Sequence, residues 1–302
     1  VKPKELGVQI LKQLSLKELV PFIDWSPFFR SWDLHGKFPD ILKDEIVGNQ
    51  ATELYEDAQR MLQQIIAKQQ LKPKGIFGLF EANSINDDDI AIYKKEKEIA
   101  IFRTLRQQLS KREGIPNIAL ADFIAPKDTK KTDYIGAFCV SIFGAQELAE
   151  SYRVKEDDYN GIMVQAIADR FAEAFAEYLH HQIRTKHWGY DADEQLTNSD
   201  LIQEKYKGIR PAPGYPACPD HLEKETIWQL LDVENQIGVT LTESLAMWPA
   251  ASVSGYYFGN SEAKYFGLGK ITDDQVSDYA KRKGISKEKA IKWLYPVLAE
   301  ES

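Results

Sequence analysis

Residues 158–187 read DYNGIMVQAIADRFAEAFAEYLHHQIRTKH and carry the strongest helical pattern in the sequence. Apolar side chains recur there at every fourth position, at Met163, Ile167, Phe171, Phe175, Leu179 and Ile183. A helix with one apolar stripe buries that stripe against the rest of the protein. We therefore expect this helix to lie in the core, with the other elements arranged around it.

Four segments ahead of this helix are rich in β-branched and aromatic residues, which favour strands. They are residues 74–83, 89–93, 98–105 and 133–143. Strands and helices do not alternate as they do in a parallel sheet with crossover helices. The sequence therefore predicts an α+β fold with a mixed sheet.

The rest of the chain is predicted to be short helices with a few strands. Ser26 and Pro27 have the residues of a helix start, and Asn198 or Ser199 is the expected cap of a later helix. Further helices are predicted at residues 16–23, 40–48, 49–70, 220–232, 272–284 and 286–298, and further strands at residues 239–244, 252–258 and 263–271.

The composition is that of a globular protein and excludes several classes of partner. The 302 residues are 43% apolar and carry a net charge of −8, with Lys and Arg scattered along the chain, so no nucleic-acid-binding surface is expected. No apolar run approaches the ~20 residues of a membrane span. Cys139 and Cys218 lie far apart, as in a reduced cytoplasmic protein. The abrupt N-terminus leads us to expect a fragment of a longer chain.

Residues 208–221, GIRPAPGYPACPDH, form a segment that we call the proline rail. Its four prolines fix their own φ and hold the preceding residues extended, so the segment is expected to be neither a helix nor a central strand. The carbonyls beside the prolines have few local partners, and Arg210 offers a planar fork suited to a carboxylate or phosphate. From these residues alone, a stiff spacer and a rigid ligand-binding edge are equally good interpretations.

Two acidic residues lie beside apolar or aromatic side chains. Glu173 lies between Phe171 and Phe175 on the long helix. It would hold a cationic group if that end of the helix met the rail, and a solvated helix face is the alternative. Asp24, in the aromatic segment PFIDWSPFF, either joins the cap at Ser26 or accepts a hydrogen bond from an amine or hydroxyl of a ligand.

Two short motifs with metal-binding spacing are incomplete. Glu177 and His180 have the i, i+3 spacing of di-iron bundles, which need that motif twice and two further carboxylates. Asp33 and His35 begin like the cobalt-ligand motif of cobalamin proteins, but Phe38 stands where that motif has glycine. We predict no metal site. A metal enzyme and a protein-interaction module that docks through its proline segment are the competing functions.

The segment RPAPGYPACPDH at residues 210–221 closely resembles the S-adenosylmethionine-binding motif of the C-terminal activation domain of cobalamin-dependent methionine synthase. Further segments resemble the same family in the same order, over essentially the whole chain: FIDWSPFF, LADFIAPK, DYIGAFCV, DDYNGIMVQAIADRFAEAFAEYLH, LTESLAMWPAASVSGYYF and AKYFGLGKI. The resemblance implies that residues 1–302 are one C-shaped α+β domain of a longer enzyme, with a twisted antiparallel sheet flanked by helices.

The resemblance also implies a function in methionine biosynthesis. Such a domain binds S-adenosylmethionine and supplies its methyl group when the oxidised cofactor, cob(II)alamin, is reductively returned to methylcobalamin in this methyltransferase. The partners implied are a flavodoxin-like or diflavin reductase electron donor and the cobalamin-binding domain of the same chain. Zinc belongs to the homocysteine domain, which is absent from this sequence.

The family's ligand-binding residues are carried over to this sequence by position. Asp24 matches the acid that hydrogen-bonds the ligand, Arg210 the arginine that meets its carboxylate, and Tyr265 with Phe266 an aromatic pair on the closing strand. The resemblance also implies rail backbone contacts from Ala212, Gly214 and Tyr215, and positions near the sulfonium or the docked corrin for Glu173, Glu204 and His221. No catalytic residue is expected, because methyl transfer to cobalt depends mainly on positioning two cofactors.

Overall fold

The computed structural model describes residues 1–11 and 13–299. Strands β1 to β5 are Gly7–Leu11, Lys72–Ile85, Asp89–Lys94, Lys97–Arg103 and Asp133–Phe143, and strands β6 to β8 are Thr240–Leu241, Met247–Trp248 and Ser252–Tyr257. Six of them form one antiparallel sheet of order β4-β3-β2-β5-β8, with β1 also paired to β2. The predicted α+β class is confirmed. The sheet is antiparallel, as the resemblance implied, and not mixed, as the strand segments predicted.

The helices surround this sheet. Helices α1 to α5 are Leu16–Leu19, Ser26–Arg30, Gly48–Ala67, Ala145–Arg153 and Asp158–Gln182, and helices α6 to α10 are Asn198–Ile202, Glu223–Leu231, Val233–Ile237, Asp273–Lys283 and Lys287–Leu294. Among the residues that the structure describes, no helix combines the length and the apolarity that crossing a membrane requires.

Strand β2 is the centre of the sheet and is covered on both faces. It pairs along one edge with β1 and then β3, and along the other with the whole of β5. Side chains of a strand alternate between faces, so Phe77 packs with helix α5 in one core, whereas Ile76 and Phe80 pack with helix α7 in another. Burial on both faces explains why β2 and β5 read as continuous apolar runs.

Helix α5 covers the first face, as its apolar stripe predicted. Phe171 and Phe175 are fully buried. A Cβ at Gly75 of β2 would lie 2.6 Å from the ring of Phe175, so the helix packs directly on the strand where the side chain is missing. The regular helix ends at Gln182 and continues as a π-helical turn, Ile183–His187.

Helices α7 and α8 and the proline rail cover the opposite face. Ile209, Ala217 and Cys218 of the rail are buried in the same core as Leu231 of α7. The C-terminal helices α9 and α10 form a smaller third core. Tyr279 of α9 fastens this unit to the end of the rail, since its hydroxyl donates to Asp220 Oδ2 at 2.5 Å.

Some local predictions are wrong. The helix expected at residues 40–48 is only a 3₁₀ turn, Asp40–Lys43, and residues 7–11 form a strand that was not predicted. The strand expected at residues 263–271 has no regular structure, because Gly269 adopts a left-handed conformation with φ +74°.

The predicted helix caps are each displaced by one residue or more. Helix α2 begins at Ser26 with Trp25 as its cap. Helix α6 is capped by Thr197, rather than by Asn198 or Ser199, because Thr197 and Asp200 form a reciprocal capping box. As predicted, the rail itself is neither helix nor sheet strand.

The rail is anchored to strand β8 through backbone hydrogen bonds. Ile209 and Phe258 exchange two bonds, each 3.0 Å, and the N–H of Tyr256 donates to the carbonyl of Pro211 at 2.9 Å. This approach requires a glycine in β8. A Cβ at Gly255 would lie 2.6 Å from the carbonyl oxygen of Pro211, which is backbone and cannot rotate away.

The replacement Gly255→Ala is therefore expected to destabilise the protein by about 1–3 kcal/mol, the usual cost of overpacking. Urea unfolding followed by circular dichroism measures this difference. Gly267→Ala is the matched control, because a Cβ there meets nothing within 4 Å. Equal midpoints for the Gly255 variant and the unmodified protein would show that the rail does not depend on this contact.

Candidate functional site

A cleft of about 850 Å³ lies along the proline rail. Its walls come from the rail, helix α5, strand β8 and the segment 265–267. Eight of the ten residues carried over from the family line it: Arg210, Ala212, Tyr215 and His221 of the rail, with Glu173, Glu204, Tyr265 and Phe266 around it. The fold thus brings distant parts of the chain to the rail, while their contacts with a ligand remain predictions.

Several rail carbonyls, for which we expected few local partners, are engaged, mostly by donors from distant parts of the chain. The carbonyl of Pro211 accepts from Tyr256, that of Ala212 accepts from Tyr215 N–H at 3.1 Å, and that of Pro216 accepts from Leu268 N–H at 2.8 Å. Among the described residues, the N–H of Ala212 donates to no protein group. The rail therefore offers a ligand this donor, alongside its side chains.

Gly214 is not among the residues that line the cleft, but it allows the rail to turn at this point. Its φ of +93° is the left-handed conformation that favours glycine. Its N–H donates to the carbonyl of Cys218 at 2.8 Å. A Cβ at this position would lie 2.2 Å from the ring of His221. Glycine thus permits both the turn and the close packing of His221.

Arg210 is held at both its backbone and its tip. Its N–H donates to the hydroxyl of Tyr265 at 3.0 Å, and its Nη2 donates to Glu177 Oε2 at 2.7 Å. Burial lowers the pKa of the guanidinium, but the Glu177 carboxylate together with Tyr206, Tyr265 and Glu173 more than offsets this, so the pKa is raised overall. Arg210 therefore stays cationic, with 19% of its side chain exposed at the cleft.

Tyr265 and Phe266 reach the cleft from irregular backbone, so their predicted place on a strand is wrong. The hydroxyl of Tyr265 lies 3.0 Å from that of Tyr206 and accepts the Arg210 N–H. Phe266 packs edge-on against Phe123, with ring centroids 6.4 Å apart. Tyrosine hydroxyl contacts and aromatic packing hold Tyr265 and Phe266 in place without the backbone hydrogen bonds of a strand.

Two carboxylates and a histidine, Glu173, Glu204 and His221, also line the cleft. Glu173 and Glu204 are exposed at its wall. Burial raises the pKa of Glu204 above its ordinary value of 4.5, and Arg210 opposes this shift. Burial lowers the pKa of His221, and Lys224 acts in the same direction. The lowered pKa leaves His221 uncharged at neutral pH.

Asp24 is not among the residues that line the cleft. Its Oδ1 accepts the N–H of Ser26 at 2.9 Å, in keeping with the capping role that the sequence allowed. The preceding residue, Ile23, accepts a hydrogen bond from Asn198 Nδ2 at 3.3 Å, which ties this segment to helix α6. A ligand contact from Asp24 stays a prediction.

Glu177 is the neighbour of Arg210 that the sequence analysis missed, because it was considered as a metal ligand with His180 and, with Asp169 and Glu173, as part of a line of acids on a solvated helix face. Its signal was its place one helical turn after Glu173. His180 is fully buried instead, with its ring stacked on Tyr257 at 5.3 Å. Within residues 1–11 and 13–299, no group of three or more His, Cys, Asp or Glu side chains has an arrangement that could hold a metal ion.

Comparisons with known proteins agree on one family. Residues 15–284 match the family described as "Vitamin B12 dependent methionine synthase, activation domain". The chain is also similar to a solved structure, the "Crystal Structure of the MetH Reactivation Domain bound to AdoHcy", with 51% sequence identity and a TM-score of 0.96. The match covers 99% of this chain and 93% of that one. This chain belongs to the family of activation domains of vitamin B12-dependent methionine synthases.

Proposed function

We propose that the cleft binds S-adenosylmethionine and presents its methyl group for the reactivation of cobalamin. The observation that carries this proposal is that one guanidinium, of Arg210, and two carboxylates, of Glu173 and Glu204, line the same cleft along the rail. The similar reactivation domain was solved with AdoHcy bound, and AdoHcy is what remains of S-adenosylmethionine after its methyl group has left.

The polar groups of the cleft match those of this ligand. The Arg210 fork suits the ligand's carboxylate, and the free N–H of Ala212 suits an acceptor on its adenine or ribose. Glu173 and Glu204 suit the cationic amine and sulfonium. Tyr265 and Phe266 offer an aromatic surface for the adenine or for the sulfonium.

Lys224 also lines the cleft, but it is engaged elsewhere. Its Nζ donates to the carbonyl of Leu245 at 2.8 Å, and burial lowers its pKa. Arg210 is paired with Glu177 behind the cleft. Within the described part of the chain, Glu173 and Glu204 form no ion pair, so their carboxylates can favour a cationic ligand.

The reaction needs positioning rather than proton transfer. Cobalamin, when bound to its own domain, supplies the cobalt nucleophile that takes the methyl group after one-electron reduction. In this chain, Arg210 anchors the ligand at its amino-acid end, and the rail fixes the rest, so the methyl group has one orientation. The carbon–sulfur bond breaks with its electron pair going to sulfur, so no residue here needs to act as a base.

The wider context is proposed in the same way. The family implies a cobalamin domain in the same chain, and we propose that residues 1–302 are one domain of such a methyltransferase. We further propose a flavodoxin-like or diflavin reductase as the electron donor and a cytoplasmic location.

The variant Arg210→Ala is expected to weaken binding of both S-adenosylmethionine and AdoHcy at least about thirtyfold, or about 2 kcal/mol, because both carry the carboxylate. Isothermal titration calorimetry on folded protein measures this loss. Arg112→Ala is the control, because Arg112 is exposed and outside the cleft. An Arg210 variant that is folded and binds both ligands normally would contradict the assigned role.

The variants Glu173→Gln and Glu204→Gln test the cationic end of the ligand. S-adenosylmethionine carries a sulfonium charge that AdoHcy lacks, and the rest of the two molecules is the same. Each variant is expected to lower the preference for S-adenosylmethionine over AdoHcy by about fivefold to tenfold. Glu147→Gln, an exposed position on helix α4, is the control. An unchanged preference in both variants would place the sulfonium elsewhere.

The same preference is expected to depend on pH. The raised pKa of Glu204 means that this carboxylate gains its proton, as the pH falls, before the pH reaches its ordinary value of 4.5. Its attraction for the sulfonium is then lost, so the preference for S-adenosylmethionine should fall as the pH is lowered toward that value. Titrations at several pH values measure this trend, which should be smaller in Glu204→Gln. A pH-independent preference contradicts the role of Glu204.

A further inference from the structure

Behind the cleft lies a group of four charged side chains of alternating sign that are almost completely buried. Arg184 and Glu194 are 0% and 1% exposed, and Glu177 and Arg210 are 10% and 19% exposed. Of the four, only Arg210 lines the cleft. The group therefore connects the cleft to the interior through Arg210.

Arg184 and Glu194 form a bidentate pair, although Arg184 Nη1 has no hydrogen-bond partner among the described residues. Two parallel hydrogen bonds join them, from Nε to Oε2 at 2.5 Å and from Nη2 to Oε1 at 2.8 Å. The guanidinium of Arg184 also lies over the ring of Tyr206, 4.4 Å from its centroid. Its Nη1 is 3.9 Å from Glu177 Oε1, which is beyond hydrogen-bond distance.

Arg210 is therefore the hydrogen-bond partner of Glu177. Among the described residues, its one hydrogen bond is the contact of 2.7 Å from Arg210 Nη2. Arg210 Nη1 donates to no group of the described protein. The carboxylate thus holds one nitrogen of the fork at the back and leaves another for the cleft. An arginine held in this way loses less side-chain freedom when it binds a ligand.

We propose that Glu177 is a positioning residue, which holds the Arg210 fork in the orientation that binds the ligand's carboxylate. Glu177 thereby sets the preference of the site for ligands that carry an amino-acid end. It acts through Arg210, because its own side chain does not line the cleft. This inference rests on the proposed function of the cleft.

Two variants separate geometry from charge. Glu177→Asp keeps the charge but withdraws the carboxylate by one methylene group, which breaks the 2.7 Å contact. Glu177→Gln keeps the length and a hydrogen-bond acceptor but removes the charge. The probes are AdoHcy and 5′-methylthioadenosine, which share the adenosine and the thioether, whereas only AdoHcy has the carboxylate and amine. The dissociation constant of 5′-methylthioadenosine divided by that of AdoHcy, measured by calorimetry on the whole chain, reports how strongly the site recognises the amino-acid end.

We expect Glu177→Asp to reduce this ratio by at least about fivefold, and Glu177→Gln to keep it within about twofold of the wild type or above. Thermal unfolding should show the opposite order, because the Gln variant removes the charge that compensates buried Arg210. A purely structural Glu177 would instead weaken both ligands equally, and that result overturns the proposal. A normal ratio in the Asp variant with a reduced ratio in the Gln variant also overturns it.

The wild-type protein distinguishes this inference from the proposed function. A chain that binds neither probe, or binds both equally, contradicts the proposed role of the cleft and the role of Glu177 with it. A chain that strongly prefers AdoHcy, together with an unchanged ratio in Glu177→Asp, leaves the cleft assignment intact and overturns only the role of Glu177.

Discussion

The attachment of the proline rail to strand β8 is the constraint on which the cleft depends. A proline-rich segment cannot join a sheet as a regular strand, because its prolines lack the N–H groups that a ladder needs. Here the bonds fall on residues that can make them. Ile209 supplies its own N–H, and Pro211 uses only its carbonyl. Gly255 removes the side chain that would hold the two backbones apart. The result is a rigid edge with the Arg210 side chain directed to the cleft.

Helix α5 contributes to both the core and the cleft, because its apolar residues and its acidic residues both recur every four positions. Four residues rotate a helix by about 400°, so acids spaced by four drift about 40° around its axis at each step. Because of this drift, Glu173 is exposed at the cleft wall, whereas Glu177, four residues later, is buried behind Arg210. The apolar stripe drifts in the same direction and keeps Phe171 and Phe175 against the sheet. Glu177, one of several acids spaced by four along this helix, thus gains two buried cationic neighbours, Arg210 at 2.7 Å and Arg184 at 3.9 Å.

The sequence was most informative where a local rule determines the structure. The apolar stripe predicted helix α5 and its burial, and the prolines predicted the conformation of the rail. The prediction of a strand at residues 263–271 failed because apolar residues there pack against other parts of the chain without forming a ladder, and Gly269 interrupts the extended conformation. Glu177 was missed for a similar reason. Its partner is 33 positions away in the chain, and spacing within one helix cannot reveal it.

The charge of the cleft affects how tightly the site binds its ligand before and after methyl transfer. Two buried pairs, Glu177 with Arg210 and Arg184 with Glu194, are each neutral overall. Glu173 and Glu204 line the cleft and form no ion pair with any side chain of the described residues, so they supply its unpaired negative charge. Methyl transfer removes the positive charge of the ligand's sulfur while its carboxylate and amine remain. In the proposed complex, the attraction of the two glutamates for the sulfonium ends with the transfer, whereas their attraction for the amine and the contact of Arg210 with the carboxylate remain. We therefore propose that the site holds the methyl donor more tightly than the product, which favours exchange of the spent ligand once the methyl group has left.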